Sequence, residues 1–150
     1  MTCQTIMFPS PLVIAASDTV TQAVQALVSH EMAAAPVVDA EGRLVGLLSE
    51  QKLIALLLPK AATFESFQDI SFLGDNVADL ASRFAEAAER PAGEIADREA
   101  AVAHPDTSLA EALLLIYRRN GVLPVVERES RKLLGVVTAD RALARILEVR

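Results

Sequence analysis

The chain has 150 residues, of which 52% are hydrophobic and only 4% aromatic, so Ala, Leu and Val must build its core. A chain this long buries roughly 70% of the surface its unfolded form exposes, which removes any need for a disulfide or metal staple and argues against disorder. Twenty acidic residues against fourteen basic ones leave a net charge of −6, which repels a phosphate backbone and argues against nucleic-acid polymers as partners.

The single cysteine, Cys3, has no partner for an internal disulfide, and a cytoplasmic location is expected on that ground. The longest apolar run, Leu53 to Leu58, stops at Pro59, far short of the ~20 residues a membrane span requires. No basic residue precedes Pro11, so neither a secretory leader nor membrane insertion is expected.

In chain order, Leu12-Val13-Ile14 predicts a short extended stretch, and Ser17-Asp18-Thr19 can cap a following helix by accepting bonds from its free amides. Val20, Ala23, Val24, Leu27 and Val28 then form one apolar stripe at helical spacing. Pro36-Val37-Val38 and Leu44 to Leu48 predict two strands joined by a turn in which Gly42 permits positive φ. A second helix is predicted to open at Ser49. The segment from Pro59 to Gly93 holds Phe64, Phe67, Phe72 and Phe84, four of the five phenylalanines, which is unlike a flexible linker. Val77, Leu80, Ala81, Phe84 and Ala88 keep helical spacing after a cap at Asp75 or Asn76. This insert is expected to be ordered, its phenylalanines either covering the core or forming an adhesive surface, and Pro91-Ala92-Gly93 marks its end.

The pattern then returns: Ala101-Val102-Ala103 extended, Asp106-Thr107-Ser108 as a cap, and Leu109, Ala112, Leu113 and Ile116 as a helical stripe. Two strands (Pro124-Val125-Val126 and Leu133 to Val137) and a helix from Thr138 complete it. Shifted by 89 residues the chain lies on itself: Ile6 on Ile95, Val13 on Val102, Leu27 on Ile116, Gly46 on Gly135 and Ser49 on Thr138. Pro36 and Pro124 need 88, because a shorter turn before Pro124 and a longer hairpin after it cancel. Two β-α-β-β-α copies with small loop changes account for this.

Each copy resembles the CBS domain, and the pair resembles a Bateman module, over about four-fifths of the chain. The likeness rests on Ile6-Met7 leading to Leu12-Val13, Ser17 to Leu27, Pro36-Val37-Val38-Asp39 with Gly42-Arg43-Leu44-Val45-Gly46, and Ser49. In the second copy it rests on Gly93-Glu94-Ile95, His104 to Leu109, Pro124-Val125-Val126 and Gly135-Val136-Val137-Thr138. The resemblance implies an α/β fold of two pseudo-twofold-related units, residues 1–60 and 93–150, packed sheet to sheet, with a helical Phe-rich insert over 61–92. It further implies two inter-repeat clefts for an adenosine-containing small molecule (AMP, ADP, ATP, NAD or S-adenosylmethionine), no required cofactor, a homodimer, and an effector protein regulated in trans.

In that family a hydroxyl after the last strand contacts phosphate, and here the position falls on Ser49 and Thr138. Independently, a hydroxyl opening a helix sits beside unpaired amides and the positive end of the helix dipole, which favours anions, although both residues are equally plain N-caps. The family's ribose-holding acid, three residues on, is replaced by Lys52 and Arg141, which donate but cannot accept hydrogen bonds. Asp140 is one position short and, on a helix, turned about 100° away. Cations in a first helical turn are disfavoured by about 0.3–1 kcal/mol, and an anionic ligand reverses that, so Lys52 and Arg141 are read as enriching the clefts for phosphate. The competing reading has them extend into solvent or pair with nearby acids. Val13, Ile14, Val102, Ala35 and Leu123 are candidates to touch the base through family geometry, or are plain core.

No catalytic role is expected. Ser49-Glu50-Gln51-Lys52 matches S-x-x-K without the K-T-G element that chemistry needs, and His30-Glu31 lacks the second histidine of a zinc motif. The principal reading is a regulatory ligand sensor. The alternatives are a ligand-free structural or interaction protein, and a trans-acting subunit of a metabolic enzyme.

Overall fold

A computed structural model of the chain describes residues 1–9, 11–58, 77–119 and 121–149. The chain opens with a one-turn helix α1 (Cys3–Ile6), then β1 (Ile14–Ala15), α2 (Val20–Ser29), β2 (Ala34–Val38), β3 (Leu44–Ser49) and α3 (Glu50–Ala55). It continues through α4 (Val77–Ala88), α5 (Ala92–Ile95), α6 (Leu109–Arg118), β4 (Val122–Val126), β5 (Leu133–Thr138) and α7 (Ala139–Val149). This is a mixed α/β architecture of two like units with a helix between them. Phe84 lies in α4, whereas Phe64, Phe67, Phe72 and the caps proposed at Asp75 or Asn76 lie outside the described residues.

The caps form as the spacing predicts. Thr19 Oγ1 accepts from the Gln22 amide while the Gln22 side chain accepts from the Thr19 amide, a reciprocal capping box. Ser108, 89 residues on, accepts from the Glu111 amide. The two hairpins repeat each other to the residue. Val37 opposes Gly46 and Val38 opposes Leu44, leaving Val45 as a bulge; Val125 opposes Gly135 and Val126 opposes Leu133, leaving Leu134. At the first hairpin's turn Gly42 has φ +80, and the equivalent residue in the second, Arg131, takes the same left-handed region at φ 61.

The copies differ at the entry strand. β1 pairs in parallel with β2, and the Ala16 amide donates to the Val38 carbonyl at 2.8 Å. The residue equivalent to Ala16 is Pro105, which has no N–H to give. The stretch expected over Ala101-Val102-Ala103 accordingly narrows to a single bridge, Ala103 to Val125. His104 Nδ1, 3.1 Å from the Val126 carbonyl, supplies the missing donor.

The two units are tied together by backbone bonds that come in pairs. The Leu44 amide donates to the Arg131 carbonyl at 2.9 Å, and the Leu133 amide to the Gly42 carbonyl at 3.0 Å, so the pseudo-twofold axis runs between Arg43 and Lys132. Phe8 and Val136 exchange both amide bonds, at 2.7 and 3.1 Å, and Asp97 and Leu47 do the same at 2.8 and 3.1 Å. Cys3 donates to the Thr107 carbonyl as Ala92 donates to that of Asp18. The lead-in of each copy is therefore docked on the other copy.

The cores reflect that exchange. Cys3 and Ile6 are buried with Ala112, Ile116, Leu123, Val125, Val137 and Ala142 of the second copy. Ala92 and Ala96 are buried with Ile14, Ala23, Leu27, Ala35, Val37 and Leu48 of the first. Burial, assisted by the nearby Glu111 charge, pushes the Cys3 thiol up and keeps it an inert core residue.

Both docked lead-ins depend on a glycine. A Cβ at Gly135 would stand 2.6 Å from the Phe8 carbonyl oxygen, and one at Gly46 the same distance from that of Asp97. Gly46→Ala and Gly135→Ala are each expected to destabilise the fold by about 1–3 kcal/mol, because backbone rather than a mobile side chain must yield. Thermal unfolding checks this: a Tm within a degree of wild type for both variants overturns the account.

Candidate functional site

A cleft of about 680 Å³ lies where the first copy's lead-in crosses between the units. One wall is Phe8, Pro11, Leu12 and Val13; a second is His30, Met32, Ala34 and Pro36, at and before β2. The third belongs to the second copy, with Val122 on β4, Val136 and Thr138 on β5, and Asp140 and Arg141 opening α7. The volume sits within the ~300–1,000 Å³ typical of small-molecule sites, with apolar walls and a few polar groups at one end. A separate hollow of about 520 Å³, between α2, α3 and α4, has apolar walls and one charged lining residue, Glu50, among the described residues. Hydroxyl, carboxylate, guanidinium and imidazole side chains meet in the first.

The polar end is organised by the start of α7. Thr138 Oγ1 donates a short hydrogen bond to Asp140 Oδ1. That bond, aided by backbone amides and the Arg141 charge, holds the Asp140 carboxyl below the usual carboxylate range, so it is an anion with further acceptor capacity at neutral pH. The Arg141 guanidinium carbon lies 5.2 Å from the centroid of the Phe8 ring, within cation–π range. Phe8 and Asp140 thus offset the unfavourable placement of a cation at a helix N-terminus. His30 Nδ1 donates to the Ala26 carbonyl at 2.9 Å, which fixes its ring against α2 at the cleft edge.

Of the residues singled out from sequence, Val13, Thr138 and Arg141 converge on this cleft. Ser49 and Lys52 hold the equivalent positions across the pseudo-twofold axis. Ser49 is buried and accepts from the Lys52 amide at 3.2 Å as an N-cap, and the Lys52 side chain is exposed. The two hydroxyls therefore differ: Ser49 caps its helix, while Thr138 donates to a carboxylate. Val102 is half-buried, on the second copy's entry segment. Ile14, Ala35 and Leu123 are fully buried in the two cores and do not line the cleft.

The other ten lining residues were not among those candidates, and Phe8, His30, Met32 and Asp140 are the chemically distinctive ones. A helical-wheel argument turns Asp140 away from Arg141's face, but side chains in a first turn tilt towards the helix N-terminus, and there Asp140 meets Thr138. Phe8 carries a usable signal: shifted by 89 it falls on Asp97, the largest chemical change between the two lead-ins. Asp97 Oδ1 accepts from the Glu99 amide instead of presenting a ring. Among the described residues no group of three His, Cys, Asp or Glu could hold a metal, and no helix is long and apolar enough to cross a membrane.

Comparison with known proteins accords with this geometry. No curated protein matches the sequence. Solved structures match closely in shape: the CBS-pair protein CBSX2 of Arabidopsis thaliana has 24% identity and a TM-score of 0.76, over 99% of this chain and 95% of that one. CBSX2 in complex with AMP gives 23% identity and 0.73, over 99% and 97%. A CBS domain-containing protein from Bacillus anthracis gives 18% and 0.73, over 100% and 94%. At these identities the likeness is one of fold. The CBS domain model matches twice, over residues 3–59 and 92–148, the two stretches that dock on each other through their exchanged lead-ins. The chain belongs to the CBS-domain family, and its fold is that of a CBS pair.

Proposed function

We propose that the protein is a regulatory sensor that takes an adenosine-containing, phosphate-bearing ligand into the cleft between Phe8 and Arg141. The observation carrying this reading is the juxtaposition of an ionised Asp140 with Arg141 and Thr138 at one end of an otherwise apolar cleft. A carboxylate accepts from both hydroxyls of a ribose, a guanidinium pairs with phosphate, and Leu12, Val13, Met32 and Pro36 offer apolar contact to a base. Asp140 thereby supplies the acceptor that Arg141 displaced from the family's usual position. The AMP complex of CBSX2, a protein of the same fold, supports adenosine as the class of ligand. NAD, ADP, ATP and S-adenosylmethionine share that moiety and remain in the set to be tested.

Signalling follows from the wall composition. The cleft draws residues from both copies, so a ligand favours one arrangement of the units by its differential affinity for it. An effector protein in trans reads the change, and the assembly is a homodimer in a cytoplasmic setting. The cleft chemistry accounts for binding without a catalytic step.

Two measurements test the proposal. A ligand at about 100 times its dissociation constant stabilises by ~2.7 kcal/mol, a Tm rise of roughly 5–11 °C at this size. A thermal-shift panel of AMP, ADP, ATP, NAD and S-adenosylmethionine is expected to show such a rise for at least one; a flat panel favours the ligand-free scaffold. In titrations, Arg141→Ala is expected to weaken a triphosphate by about 10–100-fold while changing adenosine little. Asp140→Ala is expected to weaken all adenosyl ligands by a similar factor. Equal affinities in wild type and both variants would remove the site, and Lys52→Ala reports on the equivalent position across the axis.

A further inference from the structure

Arg141 borders two hollows. Besides the cleft, it lines a smaller one of about 280 Å³ between α1 and α7, together with Thr5 and Ile6 of α1 and Ala144, Arg145 and Glu148 of α7. Arg145 follows Arg141 by four residues on the same helix, so the two guanidinium groups spring from one face, their Cβ atoms about 5–6 Å apart. The facing wall is neutral: Thr5 Oγ1 donates to the Thr2 carbonyl at 2.8 Å, and Ile6 is buried. The other copy does not repeat this arrangement. The 89-residue shift puts Leu56 where Arg145 stands and Glu94, bonded to Arg90 at 3.1 Å, where Thr5 stands. An apolar side chain thus replaces the second cation, and an acid replaces the neutral wall.

We propose that the smaller hollow is a subsite for the terminal phosphoryl groups of the ligand, so that the protein selects a nucleoside triphosphate over the monophosphate. Resting on the functional reading above, this makes Arg145 a specificity-determining residue for the same ligand class. A monophosphate is met by Arg141 at the polar end of the cleft, and each further phosphoryl group brings negative charge that Arg141 would have to share. The wall common to both hollows leads such a tail to Arg145. Two like charges four residues apart repel each other on a helix, and an anion lying between them relieves that repulsion. At about 280 Å³ the hollow is smaller than the ~300–1,000 Å³ that encloses a whole small molecule, which suits a pyrophosphoryl tail better than a second nucleoside. In the free protein Arg145 Nη1 donates to Glu148 Oε2 at 2.6 Å, and both side chains are exposed. An exposed ion pair is weak, so the tail takes Arg145 from Glu148, which acts as its competitor.

The test is calorimetric titration of ATP and of AMP, at fixed ionic strength, into the full chain and three variants altered at exposed positions. Wild type is expected to bind ATP at least about 10-fold more tightly than AMP. Arg145→Ala is expected to bring the two affinities together by weakening ATP and leaving AMP unchanged. Glu148→Gln is expected to tighten ATP by about 2–5-fold with AMP again unchanged, a gain that no folding defect can imitate. Arg128→Ala removes the same charge from the same copy, at an ion pair with Asp106 that borders neither hollow, and is expected to leave the ratio at its wild-type value. A wild type that binds AMP as tightly as ATP, or a ratio that neither Arg145→Ala nor Glu148→Gln moves, overturns the subsite and leaves the reading of the cleft standing. So does a ratio that Arg128→Ala lowers equally, or an Arg145→Ala variant that loses AMP together with ATP. Binding of neither nucleotide to wild type overturns both.

Discussion

The structure depends on two backbone crossings, Phe8 with Val136 and Asp97 with Leu47, each of which lays the first residues of one copy along the last strand of the other. Each crossing requires bare backbone at the facing strand position, which is what Gly135 and Gly46 supply. Once the lead-ins are docked, neither copy has a complete core of its own. Ile6 fills a space walled by Ile116, Leu123 and Val137, while Ala92 and Ala96 fill the matching space against Leu27 and Leu48. The units are thus fused in packing as well as by the chain that joins them, and the cleft is a by-product of where that crossing leaves the surface.

Duplication lets one motif be built into two chemically different places. The hairpins, caps and crossings repeat within a residue, because hydrogen-bond register tolerates little drift. The cleft-facing side chains are under no such geometric constraint. Phe8 became Asp97, Thr138 is matched by Ser49, and Arg141 by Lys52. At Pro105, where repeat symmetry meets a residue with no N–H, a histidine ring supplies the bond to the Val126 carbonyl instead.

Most of the fold was legible in the residues because it is written there twice. The 89-residue shift, the caps at Thr19 and Ser108 and the hairpin prolines each specify local structure through chemistry that needs no tertiary context. The cleft was legible only in part. Thr138 and Arg141 were found because they follow the last strand, and Val13 because it lies on an entry strand, but Ile14, Ala35 and Leu123 were drawn from the same pattern and belong to the core. Strand position identifies neighbourhood, whereas the face a residue presents depends on which unit packs behind it. Phe8 escaped notice because it enters the site through the exchange of lead-ins, which no periodicity encodes, and His30 and Met32 because they lie in the turn between α2 and β2, outside any repeating pattern. Asp140 was set aside on the helical wheel, and its place in the cleft lining comes instead from the short bond that Thr138 donates to it.

The crossing segment has a mechanical consequence. Phe8 is fastened to the second unit through β5, and Ile14 is already in the sheet of the first, so the wall containing Pro11, Leu12 and Val13 is a short strap between two bodies. A strap of fixed contour length couples the width of the hollow it borders to the angle between the bodies it joins. An occupant of the hollow would thus lie against a segment anchored at one end in each unit, close to the parts of the chain that join them.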